Sequence, residues 1–460
     1  MANQSTKADT SFFGHPKGLA VLFLTEMWER MSYYGMRALL VLYMVNHLFI
    51  QPEVGKEVLG FNAIRGFLEA MYGPLDIQPL ASQIYGLYTG LVYFTPFFGG
   101  ILADRWLGQK RSVILGGVLM TIGHFLMAFE SLFFPALLFI ILGNGAFKPN
   151  ISTQVGDLYA EDDPRRDGAF TLFYMGINLG AFFSPLVCGT LGQKLGWHWG
   201  FGAAGVGMII GLLVYIFGQR YLTQNPHVVA NRLRKEQAAQ QDKQALTDTE
   251  RRGIFALVVL CLLNVVFWAV YEQQGNTMQL WADNQTDWNF LGFEIPSTWY
   301  QSFNPFMIFV LAPLLSMFWK TQAARDKEPT SVTKMAIGCI LLGAAFVIMI
   351  FAGQAVPEGQ RGSVLWLLST TFFLTIGELY LSPIGLSLVT KVAPARMVSM
   401  MMGMWFLSSF AGNYLSGFIG TFYNSMSKSN FFTMLAVLSA VAGLAMLAFN
   451  RPLKAALGNR

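Results

Sequence analysis

Six side chains able to carry charge or donate hydrogen bonds recur along one apolar run: Glu26, Glu29, Arg30, Tyr33, Tyr34 and Arg37. Counted from Glu26 they stand at 0, 3, 4, 7, 8 and 11, the spacing that draws one stripe down one face of an α-helix. The run from about Leu19 to Phe49 is otherwise apolar. Twelve residues at the helical rise cover about 16 Å, roughly half the hydrocarbon of a bilayer. Hydrocarbon cannot face four formal charges and two phenols, but a protein-lined aqueous cavity can. Carboxylates and guanidinium groups held there can exchange partners, take up protons and grip the charged ends of a solute. An interfacial amphipathic helix would carry a similar stripe; the remainder of the chain argues for a polytopic membrane protein instead.

Of 460 residues, 54% are hydrophobic and only 12% charged, about half the charge of an ordinary soluble domain. Twelve apolar runs are expected to be helical spans: roughly 19–49, 82–103, 112–130, 132–155, 168–190, 199–220, 253–275, 298–319, 332–353, 363–390, 396–423 and 430–450. With the N-terminus placed in the cytoplasm, 23 of the 31 Lys and Arg fall in inside segments and five in outside ones. That asymmetry orients the chain with both termini inside. The polar segment 221–252 divides the spans six and six. The expected organisation is an N-terminal six-helix bundle over 1–220, a cytoplasmic linker over 221–252 and a C-terminal bundle over 253–460. Residues 50–81 and 276–297 read as long outside loops. Two weak echoes link the halves: Gly143 to Pro149 repeats the spacing of Gly377 to Pro383, and Trp28 to Gly35 that of Trp268 to Gly275. Such echoes suit a duplicated unit.

Charges within spans must pair, neutralise or face water, because each costs about 2.5–3.5 kcal/mol at the bilayer centre. The N-terminal half supplies the cations Arg30, Arg37 and Lys148; the C-terminal half supplies Glu272 and Glu378. Opposite charges on opposite halves can lock across a central cavity and release when a proton or charged solute competes, a two-state element that alternating access needs. Glu29 with Arg30 also reads as a fixed structural pair. Cations on one wall and carboxylates on the other suit a zwitterion, and Tyr33, Tyr34, Tyr85, Tyr88, Tyr93, Trp268 and Trp405 offer apolar faces with polar edges. The five histidines and three cysteines (Cys188, Cys261, Cys339) lack metal-ligand spacing. His124 reads as a hydrogen-bonded packing residue. No nucleophile–base pattern or phosphate-binding loop argues for an enzyme, no cofactor is expected, and no basic run argues for nucleic acid.

Between the second and third spans, Gly100-Ile-Leu-Ala-Asp104-Arg105-Trp-Leu-Gly108-Gln-Lys110-Arg111 resembles the signature loop of the major facilitator superfamily. Glu26-x-x-Glu29-Arg30 followed by Tyr33-Tyr34-Gly35 resembles the signature of the proton-dependent oligopeptide transporters within it. Phe147-Lys148-Pro149-Asn150, Phe173-Tyr174-Met-Gly-Ile-Asn178, Tyr271-Glu272-Gln273, Asn304-Pro305 and Gly377-Glu378-Leu-Tyr-Leu-Ser382-Pro383 agree in order and spacing. The resemblance implies an all-α major facilitator fold of twelve helices in two bundles. It also implies proton-coupled uptake of di- and tripeptides across a bacterial inner membrane, by a monomer in contact with lipid. By the same resemblance, Arg37 and Lys148 hold the peptide carboxylate side, and Glu378, Asn178 and Asn304 receive the amino end. Tyr33, Tyr34, Tyr93, Trp268, Ser382 and Trp405 line the pocket, while Glu26, Glu29, Arg30 and Glu272 couple protons. The chain departs from many bacterial relatives in having no room in 221–252 for two extra spans, and in Met31 where the family commonly has Phe.

The alternatives are a proton-coupled symporter for another small anion or zwitterion, such as nitrate, an organic acid or an amino acid, and, more remotely, a non-transporting membrane receptor.

Overall fold

The computed structural model describes residues 9–160, 163–222, 246–394 and 397–457. Most of the expected linker, 223–245, lies outside the described residues. Among the described residues, twelve long helices follow in chain order: α1 Lys17–Tyr43, α2 Ile77–Leu102, α3 Gly108–Leu126, α4 Phe133–Asp157, α5 Arg166–Ser184, α6 Trp197–Gly218, α7 Asp248–Tyr271, α8 Phe303–Ala323, α9 Ser331–Ala355, α10 Leu365–Val392, α11 Val398–Gly420 and α12 Lys428–Leu457. Among the described residues, nine helical stretches are long and apolar enough to cross a membrane, α2 and α3 merging into one of them. The helices outside that set are α1 and α11. The first carries the charged stripe, and the second carries Ser408, Ser409, Asn413 and Ser416, all buried. Neighbouring helices, not lipid, therefore receive their polar faces.

Helix ends differ from the sequence expectation where local chemistry extends a helix past its apolar run. α7 begins five residues early because Thr247 and Glu250 form a capping box: the Glu250 amide donates to Thr247 Oγ1 (3.2 Å) and the Thr247 amide to Glu250 Oε2 (2.8 Å). At its far end α1 keeps close to the expected boundary, loosening into a π-type turn, 44–48, with the Phe49 amide reaching back five residues to the Met44 carbonyl. The two expected outside loops carry structure. One holds the amphipathic helix Phe61–Tyr72, which buries Phe61 and Leu68. The other holds the helix Thr277–Asn284 and a hairpin of β1 Asn289–Phe290 and β2 Phe293–Glu294 around Leu291 and Gly292.

The internal echo has a packing counterpart. In the N-terminal half, α3 crosses α4 at Gly116 and Gly143; a methyl on Gly143 would stand 2.7 Å from the Gly116 carbonyl oxygen. In the C-terminal half, α9 crosses α10 at Gly338 and Gly377, where a methyl on Gly338 would stand 2.7 Å from the Gly377 carbonyl. Small residues let two backbones touch, the contact that packs helices where lipid offers no hydrophobic drive. Gly143→Ala should therefore lower stability by about 1–3 kcal/mol. Gly100→Ala on α2, where a methyl meets nothing within 4 Å, should be neutral or slightly stabilising. Thermal midpoints of the two variants in the same detergent check this.

Hydrogen bonds and ion pairs between the halves cluster at one end, away from the chain termini. There α2 lies along α11, with Gly86 against Gly417 and Gly90 against Phe410. Gln78 donates to the Gly420 carbonyl (2.9 Å), Ser82 to Asn276 (2.8 Å), and Tyr72 shares a 2.6 Å hydroxyl contact with Tyr414. Ser302 donates to the Phe182 carbonyl (2.8 Å), tying the start of α8 to α5. The far end is thus sealed across the halves, with the central cavity beneath the seal.

Candidate functional site

A cavity of about 310 Å³ lies between the halves, within the roughly 300–1,000 Å³ of ordinary small-molecule sites. Its N-terminal wall comes from α1 (Arg30, Tyr34, Arg37), α2 (Tyr93), α4 (Lys148) and α5 (Asn178). Its C-terminal wall comes from α7 and the turn after it (Trp268, Glu272), α8 (Asn304), α10 (Glu378, Ser382) and α11 (Trp405).

The stripe on α1 is buried as its spacing requires. Glu26, Glu29, Arg30, Tyr33 and Arg37 are each at most 9% exposed. Close approach by other helices makes this possible: α6 meets Trp28 at Gly211, and α5 meets the α1 backbone at Gly180. Within the stripe, Arg30 pairs with both acids, donating to Glu29 Oε1 at 2.7 Å and lying 3.4 Å from Glu26 Oε1. Two carboxylates thus share one guanidinium. Glu26 Oε2 is buried without a hydrogen-bond partner among the described residues, an arrangement open to a proton. Lys148, on α4, is the next cation within electrostatic reach of Glu26.

Higher in the cavity, Arg37 crosses between the halves. It forms an ion pair with Glu272, and its Nε donates to the Tyr85 hydroxyl at 2.8 Å. Breaking a buried pair on one side alone costs about 3–5 kcal/mol, so the pair holds the halves together until a proton or a second anion competes. Lys148 Nζ lies 4.7 Å from the centre of the Tyr93 ring.

On the opposite wall Glu378 is held from one side. Tyr271 donates to its Oε2 at 2.5 Å and Asn304 donates to the same oxygen at 3.0 Å, with Asn304 also bonded to Thr375 (3.0 Å). This orients the carboxylate on the cavity wall as an acceptor for a cation. Asn178 bonds back to the Tyr174 carbonyl (3.0 Å) with its side chain on the wall of α5.

Of the fifteen residues to which the family resemblance gives a role, the structure places twelve on this cavity and three beside it; Tyr85 and Tyr88, also considered for the lining, are buried behind it. Glu26 and Glu29 sit behind Arg30, within the N-terminal half. Tyr33 turns away from the cavity: it is 3% exposed, stacks on Tyr88 with ring centres 6.5 Å apart, and meets Tyr34 edge-on at 5.2 Å. Neighbouring α1 positions diverge here because successive residues point about 100° apart. His124 is fully buried and neither ring nitrogen has a hydrogen-bond partner among the described residues, so it packs without the hydrogen bond expected of it. The three cysteines are buried and free.

Sequence reasoning missed Tyr174, Tyr271, Ile308, Leu386 and Ser409 as lining residues. Each stands three or four positions along a helix from a residue already singled out (Asn178, Trp268, Asn304, Ser382 and Trp405), so the i,i+3/i+4 rule applied to those anchors would have found them. Tyr271 matters most, through its bond to Glu378. Tyr271→Phe removes one hydrogen bond to a charged group, worth about 1.5–3 kcal/mol. It should weaken binding of a zwitterionic solute at least tenfold without loss of folded protein, as checked by ligand titration beside a thermal melt.

Comparison with known proteins gives concordant results. A model of the POT family matches residues 110–241 and 228–437. The chain is 35% identical to a peptide transporter, YePEPT, of Yersinia enterocolitica, over 96% of this chain and 94% of that one. It is 32% identical to a di-/tripeptide transporter of Lactococcus lactis, over 98% and 99%. Among solved structures it resembles a peptide transporter POT in complex with sulfate, with a TM-score of 0.83, 34% identity and 98% coverage of both chains. A mutant of a peptide transporter POT in complex with alafosfalin gives the same TM-score and identity, over 97% and 96%.

Proposed function

The chain belongs to the POT family, and from that premise we propose that it imports di- and tripeptides together with protons by alternating access. It does so as a monomer in a bacterial cytoplasmic membrane, with α1 and α11 also spanning, both termini cytoplasmic, and no cofactor beyond the coupling ion. The observation that carries the reading is the division of charge across the cavity: Arg37 and Lys148 on one wall, Glu378 on the other. A peptide's carboxylate meets the cations, its ammonium meets Glu378, and the apolar faces of Trp268 and Trp405 accept varied side chains without specifying them.

The seal at the far end corresponds, in this orientation, to a state closed to the outside. Opening outward requires the Arg37–Glu272 pair to part. A proton on Glu272 removes its charge and frees Arg37 for the peptide carboxylate, so both ligands weaken the same lock and drive the same exchange of state. The Glu26–Glu29–Arg30 group, one cation for two acids, takes part in the proton route. The anion-symporter reading leaves Glu378 and its two donors without a role.

Uptake of a labelled dipeptide into proteoliposomes tests the reading. Under an inward proton gradient, accumulation above equilibrium that a protonophore abolishes is the expected result. Equilibration without accumulation would refute proton coupling, and saturable binding without flux would refute transport.

A further inference from the structure

The short helix Phe61–Tyr72 at the far end has three faces, of which two are engaged and the third is exposed. At about 100° per residue, Phe61, Leu68 and Tyr72 share one face. Asn62, Arg65 and Glu69 share a second, and Ala63, Phe67, Ala70 and Met71 a third, roughly opposite the second. The first face packs on protein, with Phe61 and Leu68 buried. The polar face is braced by the chain that follows it: Arg65 Nε donates to Glu69 Oε1 at 2.9 Å, and the Leu75 amide donates to the same oxygen at 3.1 Å. The third face carries no charge. Phe67 is 59% and Met71 54% exposed, and Ala63 and Ala70 are exposed with them.

The two ends of this helix stand on different halves. The Phe61 ring lies 5.3 Å from that of Phe49 and 6.4 Å from that of Phe134, both in the N-terminal half. The Tyr72 ring lies 5.5 Å from that of Phe418 on α11, beside the hydroxyl contact with Tyr414. Gly60 (φ 86°) and Gly73 (φ 80°) bracket the helix in the left-handed conformation, which lets it start and stop sharply. Twelve residues, about 18 Å of helix, thus strap the sealed α2–α11 seam from the N-terminal half to the C-terminal one.

The exposed face continues a lipid-facing surface. Beside the start of the helix, Leu59 (64% exposed) donates its amide to the Ser131 carbonyl at 3.0 Å, and Phe129 nearby in the chain is 59% exposed. Ile77, exposed as well, opens a membrane-crossing stretch four residues after the helix ends at Gly73. At the other end, Phe418 and Phe422 are exposed and meet edge-on at 5.3 Å. A charge-free apolar face opposite a polar one, at the level where membrane-crossing helices end, divides its surface as an interfacial helix does.

We propose that Phe61–Tyr72 lies in the headgroup–acyl boundary of the leaflet at the far end, with Phe67 and Met71 in lipid, and that this lipid contact holds the strap across the seam. The membrane is then a component of the seal: parting the halves must lift Tyr72 from α11 while Phe67 and Met71 keep the strap at the lipid surface. Nothing in this depends on what the central cavity carries.

Spin labels on the full chain in lipid nanodiscs test the placement. The three native cysteines are buried, so a label reports the introduced one. Labels at Phe67→Cys and Met71→Cys should collide more with oxygen, which concentrates in lipid, than with a water-soluble nickel chelate; a label at Asn62→Cys should show the reverse. Greater collision with nickel at 67 and 71 would place that face in water. Shielding from both reagents would place it against protein, and either result overturns the proposal. Should these variants fail to fold, Ala63→Cys and Ala70→Cys label the same face and leave Phe67 and Met71 in place. Hydrogen–deuterium exchange tests the hold. In the Phe67→Ala, Met71→Ala variant, amides of 61–72 should exchange at least about tenfold faster than in the wild type, because two apolar side chains lose the area they bury in lipid. Alanine favours the helix, so lost propensity cannot produce that result, and unchanged exchange would show that lipid does not hold the strap.

Discussion

Glu272→Gln should abolish accumulation of dipeptide above equilibrium under an inward proton gradient while preserving exchange of internal for external peptide. Glutamine keeps the shape of the side chain and can still accept from Arg37, so the far end can close. It carries no charge and takes up no proton at physiological pH. The Arg37–Glu272 pair crosses between the halves and is buried on both sides, at 11% and 2% side-chain exposure. Removing one charge from such a pair exposes the other to the full cost of burial, about 3–5 kcal/mol. Arg37 retains Tyr85 and gains the peptide carboxylate as substitute partners, so peptide-loaded states lose less than empty ones. Bound peptide should then cross in both directions, while the pH gradient loses its lever on the equilibrium. Paired uptake and counterflow assays in proteoliposomes read the two effects separately, and wild-type accumulation in this variant would sink the assignment.

Glu378→Gln should weaken binding of a free dipeptide by at least about thirtyfold, the range expected when one member of a buried charge pair is lost (about 2–5 kcal/mol). The same substitution should leave a dipeptide with an acetylated amino terminus nearly unaffected, because that ligand brings no ammonium. The structure sharpens this contrast. Both protein donors, Tyr271 and Asn304, meet Oε2, so glutamine can keep its oxygen on them and preserve the local network. What it removes is the charge presented to the cavity. Titration of both ligands against both proteins measures the difference directly. Equal losses for the two ligands would mean that Glu378 supports the wall and does not recognise the amino end.

The charged positions were legible in the sequence because a membrane penalises every charge that lacks a purpose. Arg37, Lys148, Glu272 and Glu378 stood out against apolar runs, and the α1 stripe kept one helical face. Lining residues without charge were harder to read. Tyr174, Ile308 and Leu386 look like ordinary membrane-helix composition until an anchor one turn away fixes which face is wet. An element end was misplaced where hydrogen bonding, not hydropathy, set it, as at the Thr247–Glu250 capping box. The structured outside segments were missed for a related reason: Phe61–Tyr72 is too short and too polar for a span, yet amphipathic enough to pack.

By itself the sequence determined that this is a helical membrane protein with buried charge of opposite sign in its two halves, since period, length and the cost of burying charge are local properties. Only the tertiary structure decided which charges meet. Glu26 stands one turn from the cavity-lining Arg30 and Glu29 is next to it in the chain, yet both are turned into the N-terminal half around Arg30, whereas Arg37 reaches 235 positions along the chain to Glu272. Pairing across that separation depends on how two sets of helices lean together at Gly86, Gly90 and Gly417, and no spacing along a single helix encodes it.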